Sequence, residues 1–121
     1  MKRSRINPVS KNKKKRNQLY ERSKKEYWAA IAVEQGRDGQ TPLCEKCLER
    51  TATDTHHRAG RTGPLLWCKD YLSVLCRPCH SYGPDSVHEN PKKAELDGWT
   101  VRLNRREIES IKLREESKLY E

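Results

Sequence analysis

The chain has no phenylalanine and one methionine, at its start, and no stretch approaches the roughly 18 apolar residues needed to span a membrane. With 33% hydrophobic and 36% charged residues over 121 positions, it amounts to one domain that cannot bury a large core by packing alone. An apolar leader is missing too. The start reads Met1-Lys2-Arg3-Ser4-Arg5, which points to a reducing cytoplasm rather than an oxidising compartment. Acidic residues are absent from the first 16 positions, where Lys2, Arg3, Arg5, Lys11, Lys13, Lys14, Lys15 and Arg16 cluster.

A formal net charge of +9 and a pI near 9.5 favour a polyanionic partner, most simply nucleic acid. The cluster makes this more than bulk basicity. Residues 1–17 read as a flexible basic tail that orders on phosphate, with Lys11, Lys13, Lys14, Lys15 and Arg16 as its candidate contacts.

Five cysteines are present, four of them as the pairs Cys44/Cys47 and Cys76/Cys79. Two thiolates separated by two residues grip one soft ion from a tight turn, and two such turns complete a tetrahedral Zn²⁺ site. Disulfides are the weaker reading, because the count is odd and the paired spacing is that of a metal knuckle. Zinc would also supplement a thin core, since its binding free energy enters folding directly. Cys68 stands outside both pairs and reads as a buried small apolar residue or an incidental one.

Along the chain, residues 18–103 form the expected domain and 104–121 a final helix. Leu19, Tyr27, Ala30, Ile31 and Val33 recur near helical spacing between about Gln18 and Gln35, and Gly36 is a natural stop. Residues 51–57 have the β-branched content of a short strand ending in His56-His57, whose side chains then point to opposite faces. A glycine-rich basic turn at 58–64 carries Arg58 and Arg61, Leu65-Leu66-Trp67-Cys68 reads as a core piece, and Tyr71 to Leu75 as a second strand. Trp67, Trp99 and Tyr82 read as packing residues rather than base-stacking platforms. Pro91 and Gly98 outline a short helix, and Asn104 with Glu107 a capping box for the last one, whose apolar residues are Ile108, Ile111, Leu113 and Leu119.

Residues 48–75 separate the two knuckles, longer than the about 15–20 residues of simple paired-knuckle modules. A β-hairpin carrying His56-His57 fits that interval. The string Thr53-Asp54-Thr55-His56-His57, then Gly60-Arg61, then Leu72-x-Val74-Leu75-Cys76-Arg77-x-x-Cys79-His80 resembles the HNH endonucleases of the ββα-metal type, in their four-cysteine branch. With His88-Glu89-Asn90-Pro91 and the basic start, the run is similar to small bacteriophage HNH-like proteins. The likeness covers most of residues 1–100.

The resemblance implies an α+β fold: a small zinc-stabilised ββα-metal domain flanked by N- and C-terminal helices. It implies a DNA endonuclease in which His56 and His80 hold a catalytic Mg²⁺ or Mn²⁺ and His57 is the general base that activates water. His88 is the candidate third ligand, and Arg61 or Arg58 would pair with phosphate. For a phage-encoded chain the compartment is the host cytoplasm. The sequence departs from the family twice. Pro84 stands where a third ligand is common, so His88 serves only if residues 81–87 loop back, and Tyr71 stands where the family's asparagine orients the base. A chain that had lost activity with that asparagine would instead be an HNH-like adaptor or inhibitor, binding DNA or a phage or host protein complex.

Overall fold

The computed structural model describes residues 11–120; the start of the basic tail, with Lys2, Arg3 and Arg5, lies outside them. Among the described residues the chain is α+β: α1 (Lys11–Glu34), β1 (Asp54–His57), β2 (Leu72–Leu75), α2 (Pro91–Leu96) and α3 (Arg105–Glu115), joined by short 3₁₀ and π turns. No helix here is long and apolar enough to cross a membrane.

The first correction concerns the tail. Helix α1 begins at Lys11, so Lys13, Lys14, Lys15 and Arg16 sit on its first turns instead of in a loose arm. Lysine and arginine are good helix formers, and nothing between 11 and 18 breaks the helix. The inward stripe is Leu19, Ser23, Tyr27 and Ile31, spaced by four, with Leu19, Ser23 and Ile31 buried, Tyr27 half-buried, and half-buried Trp28 and buried Ala32 beside it, whereas Ala30 and Val33 face outward. Gly36, at φ 71°, ends the helix in the left-handed region, and the Arg37 N–H closes back onto the Ala32 carbonyl at 2.7 Å.

Strands β1 and β2 pair antiparallel, with Asp54 opposite Leu75, Thr55 opposite Val74, His56 opposite Ser73 and His57 opposite Leu72. The hairpin is shorter than expected at its first strand. Thr51 instead bridges Leu43, and Ala52 bonds the Pro42 carbonyl, so residues 51–53 stitch the first knuckle to the sheet. Every residue of β2 is buried. That is unusual for an antiparallel strand, which normally wets one face, and it follows from cover on both sides. Val74 packs with Ile31, Ala52, Tyr27 and Trp28, while Leu75 packs with Cys44, Cys76, Cys79, Val87 and Ala94.

Polar bonds lock α1 to the knuckle. The Tyr27 hydroxyl donates to Glu45 at 2.9 Å, the same carboxylate accepts from the Val74 N–H at 2.7 Å, and Gln35 pairs with both backbone groups of Leu43. Trp28 donates its indole N–H to Thr55 at 2.8 Å.

Helix α3 starts at the Asn104–Glu107 capping box and seats Ile111 against Leu65 and Cys68, with Tyr71 and Leu103 beside them; Leu113 is exposed. Its last turn buries Glu115, bonded by Arg114 at 3.0 Å and Lys118 at 2.9 Å. Burial alone raises this carboxyl, but the bonds from Lys118 and Arg114 outweigh it and hold the pKa below 4.5. A depressed folded-state pKa contributes stability that is present above about pH 4.5 and lost as pH falls through the folded value. Glu115→Gln is therefore expected to cost about 1–3 kcal/mol at pH 7 and much less at pH 3. Urea unfolding at both pH values checks it, and an equal cost at each would refute the ion-pair account.

Candidate metal centres

The four knuckle cysteines converge, with all sulfurs within 4.8 Å of one another and Cys47 Sγ 3.9 Å from Cys76 Sγ. At Zn–S distances of about 2.3 Å, a tetrahedron has S···S edges of about 3.8 Å. The cluster fits that ion and could hold it. Local turns do the positioning: Cys47 N–H points at Cys44 Sγ, and Leu48 adopts φ 57° to close the first knuckle.

The surrounding groups are those of a thiolate site. Arg50 donates its Nε–H to Cys76 Sγ at 3.3 Å and reaches Cys79 at 3.8 Å, which pushes the guanidinium pKa further up. Burial raises Cys44, and burial with the bond to Cys76 takes Cys79 to about 12. For Cys47, burial acts upward but is overcome by the N–H groups of Arg50 and Glu49 and by the neighbouring sulfurs, which bring it to about 6. Zinc binding would draw protons from the thiols that hold them.

The second centre is formed next to the first, because His80 directly follows Cys79. His56, His80 and His88 bring ligand nitrogens within 4.8 Å of one another, with ring centroids 5.1 Å apart for His56–His80 and 4.4 Å for His80–His88. Each comes from a different element. His56 is on β1, His80 is on the π-type turn Pro78–Tyr82, and His88 is in the loop beyond. The loop returns because Val87 N–H bonds the Cys79 carbonyl at 2.8 Å and His88 N–H bonds the His80 carbonyl at 3.2 Å. Gly83 closes the π turn so tightly that a Cβ there would stand 2.5 Å from the Pro78 carbonyl oxygen.

Two of the rings have fixed tautomers. His56 Nε2 lies 2.6 Å from the Trp99 carbonyl, and because a carbonyl only accepts, the lone pair is left on Nδ1. His80 Nδ1 lies 2.8 Å from Asp54 Oδ2, which leaves Nε2 as its donor atom. Asp54 is itself held by Arg77 at 2.8 and 3.1 Å. Burial raises the Asp54 pKa, but the bonds from Arg77, His80 and Thr53 prevail and keep it below its ordinary value. A histidine oriented by a carboxylate behind it is the usual outer support of a metal ligand. Burial takes His56 to about 4, so it is neutral near pH 7.

Neither Asp54 nor Arg50 is among the site residues expected from the sequence. One signal for Asp54 was available, because positions 54 and 56 share a face of β1 and a carboxylate there stands beside a ligand. Arg50 carried none.

His57 points to the other face of the strand yet lines the same open groove as His56 and His88, a cavity of about 460 Å³ that also includes Arg58, Val101 and Arg102. Its Nε2 is bonded to the Leu66 carbonyl at 3.1 Å, so Nδ1 carries the lone pair. Burial lowers its pKa from 6.5, keeping the ring neutral at pH 7. The orienting acceptor for His57 is thus a backbone carbonyl instead of Tyr71, whose ring packs with Leu65, Cys68 and Ile111. That is a correction to its expected place beside the base. Arg58 also differs from a free phosphate ligand: its Nη2 donates to the Asp70 carbonyl at 2.6 Å and braces the turn. Arg61 is exposed and lies over the Tyr20 ring, 5.8 Å from its centroid. Cys68 is buried, as a small apolar residue would be, with the Arg114 guanidinium 3.3 Å from its sulfur.

No protein-family model, curated protein or solved structure matches this chain.

Proposed function

We propose that the protein is a metal-dependent endonuclease of the HNH type that hydrolyses DNA phosphodiester bonds, with the four cysteines holding a structural zinc. The observation that supports this reading is the convergence of imidazole nitrogens from His56, His80 and His88, two of whose rings line the same groove as a separately oriented histidine, His57. A shared zinc ligand set does not explain that convergence, because four cysteines already complete a tetrahedral site.

His56, His80 and His88 would hold the divalent ion, which when bound supplies Lewis acidity at the non-bridging and leaving oxygens of the phosphate. Three imidazoles suit a borderline ion such as Zn²⁺ better than Mg²⁺, which prefers oxygen donors. His57 Nδ1 takes the proton from the attacking water while the Leu66 carbonyl fixes its ring. Arg61 and Arg102 lie near the groove as cations for the flanking phosphates, and the basic first half of α1 adds salt-dependent affinity without reading sequence.

Purified protein supplied with Zn²⁺, Mn²⁺ or Mg²⁺ in turn is expected to nick supercoiled plasmid, and His57→Ala to slow nicking by at least about 100-fold while the helical content stays unchanged. Plasmid left intact under every ion would sink the nuclease reading and leave the adaptor.

A further inference from the structure

A second open cavity lies apart from the histidine groove. It is an open trough of about 490 Å³ between α1 and β1, lined by Tyr20, Lys24, Lys25, Trp28, Thr53 and Thr55. Thr55 and His57 share one face of β1, and Thr53 precedes the strand in the same alternation, so the trough and His57 belong to the same side of the strand. Tyr20 joins them, with its ring centroid 5.2 Å from that of His57.

The lining has two kinds of group. Tyr20 and Trp28 are half-buried aromatic rings, and Trp28 is held in place by its bond to Thr55. Around them stand cations: Lys24 Nζ is 5.2 Å and Arg61 Cζ 5.8 Å from the Tyr20 centroid, and Lys25 is exposed at the rim. Of the acids nearby, Asp54, which accepts from Thr53 at 3.1 Å, is held by Arg77 and His80, and Glu21 pairs with Lys24 across the helix surface at 3.2 Å. Such an exposed pair is worth little and yields readily to a phosphate.

We propose that this trough binds a single strand of nucleic acid, stacking an unpaired base on Tyr20 and Trp28, with Lys24, Lys25 and Arg61 on its phosphates, and delivers that strand to His57. Aromatic faces interleaved with cations are what an unpaired strand requires, because stacking is open only to bases outside a duplex and the cations follow the backbone. Duplex DNA would meet the lysines but leave both rings without a base. The proposal deepens the nuclease reading and rests on it only for the direction of delivery; binding in the trough stands apart from cleavage.

The test uses the full chain loaded with one zinc per chain, enough for the sulfur site alone, and no other divalent ion, and fluorescence anisotropy of labelled DNA and RNA single strands of about 12 nucleotides, with a duplex of the same sequence. The expected result is single-strand affinity at least about tenfold above duplex affinity, accompanied by quenching of tryptophan emission. Tyr20→Leu is expected to weaken single-strand binding about tenfold with no effect on duplex. Lys25→Gln, exposed and without a part in packing, is expected to lower the salt slope by about 0.7. Equal affinity for strand and duplex, or wild-type strand binding in both variants, would overturn the proposal whether or not plasmid is nicked. Loss of strand binding in the variants, alongside uncut plasmid with the unmodified protein, would uphold the trough and defeat the nuclease reading. A preference between the DNA and RNA strands would identify which sugar the trough admits.

Discussion

Removal of a zinc held by the four cysteines is expected to unfold the protein. The ion would contribute on the order of 10 kcal/mol or more, as large as the whole stability of an ordinary domain. The three apolar clusters are small and cannot replace it. Two of them depend on the knuckle directly. Cys44, Cys76 and Cys79 are themselves members of the first, and Glu45, between two ligands, ties Tyr27 of α1 to Val74 of β2. Once the cysteines separate, α1 loses its contacts with Glu45 and Leu43, and a lysine-rich helix alone in water is marginal. A strong chelator should therefore abolish most far-ultraviolet ellipticity, and added Zn²⁺ should restore it. Chelators would also strip an ion held by the three histidines, so the assignment rests on two variants. Cys44→Ser should fail to fold, whereas His80→Ala should fold with one zinc per chain. An unchanged spectrum after metal analysis has shown the sulfur site to be free of zinc would refute the structural role.

The knuckles are legible in the sequence because ligation at this spacing is local: a turn of four residues is enough to aim two sulfurs. The hairpin is legible for a similar reason, since the threonines leading to the histidine pair and the Tyr71-Leu72-Ser73-Val74-Leu75 segment carry β-branched and aromatic residues that favour strands. His88 is different. Its return depends on backbone bonds to Cys79 and His80 that no local pattern encodes, and its spacing from His80 identified it only as a candidate. Helix α1 departs from the sequence expectation at both its start and its stripe. A run of like charges looks like a solvated tail although lysine is a good helix former, and Ser23 interrupts the apolar series on the buried face, which made Ala30 and Val33 look inward. Tyr71 shows the limit of reasoning by position. Counting back from His80 places it beside the base, but the 3₁₀ turn Lys69–Tyr71 sets its ring among Leu65, Cys68 and Ile111, and Leu66 offers a carbonyl instead.

Asp54→Asn and His80→Ala should separate support from ligation at the second centre. His80→Ala removes one of three nitrogens from a site with no carboxylate among its converging ligand atoms. The remaining pair holds an ion poorly, and nicking is expected to fall by about 1,000-fold or more, in line with loss of an entire electrostatic component of catalysis. Asp54→Asn keeps all three ligands but changes what stands behind one of them. The carboxylate accepts from His80 Nδ1 and so leaves the lone pair of Nε2 open to an ion, for which its charge would make that nitrogen a stronger ligand. An amide can still accept through its oxygen but carries no charge, and it also surrenders the pair with Arg77, whose guanidinium lies 2.8 Å away. Losses of this kind run to about 10–100-fold in metal affinity or activity. The deficit should therefore appear as weakened metal binding: a higher ion concentration needed for half-maximal nicking, with much of the rate recovered at saturation. His80→Ala, by contrast, should stay inactive at any concentration. If Asp54→Asn were as inactive as His80→Ala at saturating ion, Asp54 would have to act on the ion or the substrate itself, and its place as the support of His80 would be wrong.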